Sequence, residues 1–199
     1  MTTLLVARHG QADWNLERRW LGHADRPLTE LGRAQAENLA RQLDGIPIDA
    51  AYASDLARAM DTARAALGNR GIDVTPLPEL RERDYGAWDG VLDDEIPQRF
   101  PDDHDAWTRG ATDGAPDAEP YAALAQRVQA AIRRIEAAHP NGTVLVVAHG
   151  EPLRALHALA LELDYAKHRR EIPDPPHASL ARYEVVDGRL CAVPAKAPR

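Results

Sequence analysis

The sequence predicts an α/β fold: a three-layer α/β/α sandwich with a mostly parallel central sheet and an irregular lid insertion. Two apolar runs, Leu4-Leu5-Val6-Ala7 and Val144-Leu145-Val146-Val147-Ala148, show no polar alternation, as suits strands covered by helices on both faces. Strand-like and helix-like segments alternate along the chain, which is the pattern of βα units. A length of 199 residues, with 44% hydrophobic and 28% charged residues, suffices for one domain with a sizeable core. Residues 1–199 are therefore read as a single domain.

Leu4 to Ala7 forms the first strand, followed by a polar, glycine-containing loop from Gln11 to Pro27. Thr29 is the expected N-cap of a helix to about Leu43, with Leu31, Leu39 and Leu43 toward one face. Ala50-Ala51-Tyr52-Ala53 reads as the second strand, Ser54 as the cap of an alanine-rich helix to about Leu67, and Asp73 to Leu77 as the third strand. Residues 91 to 120, rich in Asp, Pro and Gly, read as the lid insertion, with one short helix near Asp93 to Phe100. A long helix from about Tyr121 to Ala138 leads through Pro140-Asn141-Gly142 into the Val144 strand. Pro152 then sits near the first turn of a further helix, where its missing N–H costs nothing. Leu180 to Val186 and Leu190 to Val193 meet at Asp187-Gly188 as a hairpin, and residues 194 to 199 read as a frayed tail.

A formal net charge of −7 argues against nucleic acid as a partner, since such a domain would show a basic face. The single cysteine, Cys191, excludes an internal disulfide framework and a cysteine-based zinc cage, and fits a reducing compartment. No apolar stretch is long enough to span a bilayer, and no signal-like segment opens the chain. The expectation is a cytoplasmic protein, monomer or homodimer, with no membrane partner.

Both apolar runs stop at a histidine followed by glycine, His9-Gly10 and His149-Gly150. Ligands of parallel sheets bind beyond the carboxyl ends of the strands, so both imidazoles stand where a site is expected. A glycine after each lets the backbone turn sharply and approach a ligand closely. Arg8 adds a planar donor fork suited to phosphate oxygens. With Ser54 as cap, Arg58 falls in or just past the first turn of its helix, where the macrodipole disfavours a cation. If the Tyr52 strand neighbours the first strand, that helix start brings Arg58 toward Arg8, a cluster that calls for a dianion. By position alone, Arg58 reads equally as a surface arginine paired with Asp55 or Asp61. Glu82, between Arg81 and Arg83, reads on its own as part of a solvated ion-pair cluster.

Six ordered segments then carry a family resemblance. They are Arg8-His9-Gly10 with Trp14-Asn15; Gly22 with Asp25-Arg26-Pro27-Leu28-Thr29 and Leu31-Gly32; Ser54-Asp55-Leu56 with Arg58-Ala59 and Asp61-Thr62-Ala63; Leu80-Arg81-Glu82; Gly86, Trp88 and Gly90; and Ala148-His149-Gly150. Together they resemble the histidine phosphatase superfamily and, within it, the phosphoglycerate-mutase-like branch. The resemblance implies a phosphoglycerate-mutase-like fold and hydrolysis of a small phosphorylated metabolite through phosphohistidine, with no metal and no other cofactor. It makes His9 the nucleophile, sets Arg8, Arg58 and His149 on the non-bridging oxygens, and adds Asn15 as a neutral donor. Glu82 becomes the acid for the leaving alkoxide and then the base for water. Gly10, Gly22 and Gly150 are expected against the substrate. His177-Ala178-Ser179 stands where many relatives carry an asparagine before a small residue and a serine, which places His177 near the phosphate pocket.

Three other readings are weighed. A phosphoglycerate mutase-type transfer uses the same histidine, but those mutases are longer and carry basic residues in the corresponding insertion. Here residues 89–120 hold ten carboxylates against Arg99 and Arg109, net −8. That run is expected to repel leaving groups bearing further negative charge. A metal-dependent hydrolase is disfavoured because Arg8 and Arg58 would repel a divalent cation, and a non-catalytic phosphate-binding protein because every chemical group for turnover is present.

Overall fold

The structure is a computed structural model that describes residues 1–194; the tail expected from 194 lies, beyond that residue, outside the described residues. Six strands form one sheet: β1 (Thr2–Arg8), β2 (Ala50–Ala53), β3 (Val74–Pro76), β4 (Thr143–Ala148), β5 (Leu180–Val186) and β6 (Arg189–Val193), in the order β3-β2-β4-β1-β5-β6. The four strands from β3 to β1 are parallel, and β5 and β6 complete one edge antiparallel. In the central pair Ala7 faces Val147 and Arg8 faces Ala148. The hairpin turns at Asp187-Gly188, both with positive φ, the conformation a two-residue turn needs to match strand twist.

The described residues form eight α-helices, α1 (Asp13–Glu17), α2 (Glu30–Gln42), α3 (Ala57–Leu67), α4 (Ile96–Arg99), α5 (Pro101–Thr108), α6 (Tyr121–Ala138), α7 (Gly150–Ala160) and α8 (Tyr165–His168), of which α2, α3, α6 and α7 cover the two faces of the sheet. Alternate residues of the continuous apolar strands serve opposite faces. Leu4, Val6, Val144 and Val146 pack on Leu124, Val128, Leu153 and Leu156 of α6 and α7. Leu5, Ala7, Leu145 and Val147 pack on Leu39, Ala59 and Ala63 of α2 and α3. This double coverage explains why neither run alternates with polar residues.

Local expectations hold or fail for identifiable reasons. Thr29 caps α2, its Oγ1 accepting the Gly32 N–H at 3.0 Å. The buried stripe of α2 runs through Gly32, Ala36 and Leu39 to Leu43 just past its end, leaving Leu31 54% exposed. Fully burying a leucine contributes ~2 kcal/mol, and Leu31 adds little of that. Ser54 does not cap α3. Leu56 is the N-cap, Ser54 Oγ accepts the Leu56 N–H at 3.3 Å, and Arg58 falls squarely in the first turn. The polar loop contains α1, and β2 pairs with β4 rather than with β1.

The 91–120 segment is more ordered than its composition suggests. It holds α4 and α5, and Val91, Ile96 and Ala115 bury against Trp88, with Trp20 and Trp107 packed on them. The rings of Trp20, Trp88 and Trp107 meet edge to face at centroid distances of 5.3 to 5.6 Å. Arg83, fully buried, ties the segment down by donating to the carbonyls of Asp113 and Glu119.

Gly10 fixes how closely α2 approaches the end of β1: a Cβ there would collide with the Gly32 carbonyl oxygen, which is backbone and cannot swing away. Gly10→Ala is expected to cost about 3 kcal/mol and lower the melting temperature by roughly 10 °C. Denaturant unfolding with unchanged midpoint and slope would refute that close approach.

Candidate active site

His9 and His149 are the residues that follow β1 and β4, and the register of those strands sets them side by side. The His9 N–H donates to the Ala148 carbonyl at 2.9 Å, and the two rings lie 4.9 Å apart between centroids. Both side chains are buried, and hydrogen bonds assign their tautomers. His9 Nδ1 lies 2.6 Å from the Gly10 carbonyl oxygen. A carbonyl only accepts, so Nδ1 carries the proton and Nε2 keeps the lone pair. His149 is the opposite case. Arg58 Nε donates to its Nδ1 at 3.2 Å, so Nε2 carries the proton, and that buried atom has no hydrogen-bond partner. Burial first, then the Arg58 guanidinium, holds both imidazoles well below their ordinary pKa. Both are neutral at pH 7.

Arg8, the last residue of β1, places Nη1 2.7 Å from Asp174 Oδ2 and 2.6 Å from the Pro175 carbonyl, while its buried Nε has no partner. Arg58 reaches the same region from behind. Wholly buried, it donates to the carbonyls of Gly22 (2.7 Å) and Ala24 (2.9 Å) as well as to His149. The surface pairing with Asp55 or Asp61 is overturned, because Asp55 pairs with Arg81 and Asp61 with Arg64. Asn15, on α1, accepts the Ala12 N–H at its Oδ1 and lines the cleft.

Glu82 is buried too, but not in an ion-pair cluster: Arg81 is taken by Asp55 and Arg83 by backbone carbonyls. Glu82 Oε1 accepts the N–H groups of Arg83 (2.8 Å) and of Glu151 (3.2 Å). Burial first, and the Glu151 carboxylate second, push its pKa up to about 7. That value suits a group that both gives and takes a proton near neutrality.

A neutral imidazole nitrogen with a free lone pair, a carboxyl poised near pH 7 and two unpartnered buried donors are groups suited to phosphoryl transfer. The profile of the histidine phosphatase superfamily (branch 1) matches residues 4–193. The chain belongs to this superfamily. Phosphoserine phosphatase 1 of Hydrogenobacter thermophilus is 31% identical over 168 residues, 84% of this chain and 80% of its own. The adenosylcobalamin/alpha-ribazole phosphatase of Escherichia coli is 34% identical over 147 residues, 73% of this chain and 72% of its own. Bacillus stearothermophilus YhfR superimposes with a TM-score of 0.90 at 34% identity, over 96% of this chain and 95% of its own.

In this histidine phosphatase the site opens into a cleft of about 990 Å³ whose lining includes Arg8, His9, Asn15, Glu82, Gly150 and His177. His177 Nδ1 lies 3.2 Å from the His9 carbonyl and its ring 5.4 Å from the His9 ring. Burial, then Arg8, lowers its pKa to about 4, so it stands beside His9 as a neutral group. Gly150 faces the cleft, where a Cβ would come within 2.8 Å of Asp174 Oδ1. Gly10, Gly22, Arg58 and His149 are not among the lining residues; Arg58 and His149 are wholly buried behind the cleft surface. The Gly10 N–H is held by Thr62 Oγ1 at 3.0 Å, and Gly22 is spent on Asp89 and Arg58. Among the described residues no three His, Cys, Asp or Glu side chains converge to hold a metal ion, and no helix is long and apolar enough to cross a membrane.

Sequence reasoning missed the outer wall, formed by Glu151, Arg154, Trp107, Arg169, Arg170 and Asp174. Glu151 and Arg154 were legible as an i,i+3 pair directly after His149-Gly150, and they bond at 2.6 Å. Little of the acidic run reaches the cleft. Of its ten carboxylates only Asp93 lines the cleft, where it pairs with Arg18. Asp102 and Asp105 stand in solvent on α5. Sequence counts charge, but not the side of a helix from which it points.

The Glu82 carboxyl is expected to titrate near pH 7 when followed by carbon-13 NMR. Glu151→Gln removes the neighbouring negative charge and should move that midpoint down. A midpoint in the ordinary carboxylate range, or one indifferent to Glu151, would contradict the electrostatics described.

Proposed function

We propose that this histidine phosphatase is a cytoplasmic hydrolase of small phosphomonoesters, working through a phosphohistidine on His9 without a metal ion. The observation that carries the reading is the pair of opposed tautomers. Gly10 holds the His9 proton on Nδ1, which leaves Nε2 free to attack. Arg58 holds the His149 proton on Nε2, which turns a donor toward the oxyanion.

In the first step His9 Nε2 bonds to phosphorus while the ester P–O bond breaks, and protonated Glu82 gives its proton to the departing alkoxide. In the second, Glu82 carboxylate takes a proton from water, the water oxygen bonds to phosphorus, and the P–N bond breaks to release phosphate. Each half is an easier displacement than direct hydrolysis. Arg8 Nε and the His149 Nε2–H stabilise the equatorial oxygens, whose charge shifts during transfer. Arg58 acts mainly through His149 and by its charge, since each of its three nitrogens already donates to a carbonyl or to that ring. Asn15 and His177 contribute neutral contacts at the rim. The segment over 91–120 forms a wall of the same domain, and its tryptophan cluster holds Trp107 beside the pocket.

Brief reaction with substrate, quenched in alkaline denaturant, should leave a base-stable, acid-labile phosphate on His9. His9→Ala should abolish both label and turnover, whereas His149→Ala should slow turnover by about 10²–10³. Label persisting in His9→Ala would transfer the nucleophile's role elsewhere, and loss of activity with excess chelator, restored by a divalent ion, would overturn the metal-free reading.

The pH profile separates the two carboxyl roles. For an alkyl phosphate, kcat/KM should fall as pH rises above about 7, as Glu82 loses the proton the leaving group needs. Glu82→Gln should cost about 10²–10⁴ on alkyl esters and much less on an aryl ester, whose phenolate leaves unaided. Equal losses on both would remove Glu82 from the role of acid.

A further inference from the structure

Six arginines line the cleft, and four of them have a carboxylate partner: Arg8 with Asp174, Arg18 with Asp93, Arg19 with Glu17 and Arg154 with Glu151. Among the described residues, Arg169 and Arg170 have none. Arg169 is 8% exposed, its guanidinium lies over the Tyr121 ring at 4.4 Å, and its buried Nη2 has no hydrogen-bond partner. Arg170 uses one nitrogen, Nη2, to reach the carbonyls of Trp107 and Thr108 at the end of α5. A buried guanidinium without a counter-charge is costly, and stacking on an aromatic ring offsets only part of that cost.

The position of these cations in the cleft follows from a continuous run of contacts. The Glu151 N–H donates to Glu82, the Glu151 carboxylate accepts from Arg154 Nη1, and Arg154 Nη2 donates to the Arg169 carbonyl. Glu82 is the group that meets the leaving oxygen, so this wall extends along the path of the leaving group and not around the phosphoryl oxygens. We propose that Arg169 and Arg170 form an anion subsite for the leaving group, and that the substrate is a phosphomonoester carrying a second anionic group, a carboxylate or a further phosphate. This rests on the phosphatase reading above and is the reverse of the preference that the acidic 89–120 run suggests. Guanidinium forks match carboxylate and phosphate oxygens alike, so the chemistry shared by the two is what the subsite recognises.

Binding to the His9→Ala protein tests the subsite apart from turnover. Three esters on one three-carbon skeleton serve as probes in calorimetry at low salt: glycerol 1-phosphate, 3-phosphoglycerate and glycerol 1,3-bisphosphate. At least one anionic ester should bind tenfold or more tightly than glycerol 1-phosphate, and the stronger of the two identifies the second group. Adding Arg169→Met, which keeps an apolar stem on Tyr121, should bring that ratio to near one. Arg170→Gln should reduce it separately and serves if Arg169→Met fails to fold. Equal affinity for all three esters, or a ratio that survives both substitutions, overturns the subsite. Failure of the wild-type protein to hydrolyse any of the three esters or p-nitrophenyl phosphate would instead overturn the phosphatase reading, leaving the binding ratio to judge the subsite.

Discussion

Parallel pairing of β1 with β4 is the constraint on which the rest of the site depends. Because Arg8 faces Ala148, the residues that follow, His9 and His149, emerge together at one edge of the sheet. A slip of one residue would exchange the faces of every side chain in a strand. Here both faces are packed, with Val144 and Val146 against α6 and α7 and Leu145 and Val147 against α2 and α3. The two cores therefore hold the imidazoles in register, without the site itself having to supply that energy.

Around this pair the protein concentrates positive charge in an acidic chain. Arg58 is buried without a carboxylate in direct contact, and its N–H groups are used on carbonyls and on His149. Keeping both histidines neutral lowers the electrostatic cost of placing them beside two guanidiniums. The same guanidiniums make the location favourable for a phosphoryl dianion. One hydrogen bond, from Arg58 to His149, thus sets a tautomer and a local potential at once.

The outer half of the cleft depends on side-chain packing more than on backbone pairing. Trp20 comes from the loop after α1, Trp88 from a tight turn and Trp107 from α5, and their edge-to-face contacts bring three distant segments together. Arg83, next to Glu82, ties down the far end of that insertion by its carbonyl contacts. Glu82 is in this way coupled through its sequence neighbour Arg83 to the wall beyond it.

The sequence by itself determined the alternation of strands and helices, the two buried parallel strands, the Thr29 cap and the Asp187-Gly188 hairpin, because each rests on local periodicity or on one turn conformation. The two histidine-glycine strand ends also pointed to His9, His149 and Arg8 lying close together, whereas Glu82 was singled out by the family resemblance and not by its own neighbours. Only the tertiary structure decided that β4 separates β1 from β2, that Arg58 stands behind His149, and that Gly10 packs directly on the backbone of α2. Those are questions of which elements become neighbours, and no local propensity encodes them. The charge of the cleft is the plainest case. The acidic run dominates the sequence around 89–120, yet of its carboxylates only Asp93 lines the cleft, while Arg154, Arg169 and Arg170 reach it from a later segment of the chain. Electrostatic potential depends on distance and burial, and both are properties of the folded chain.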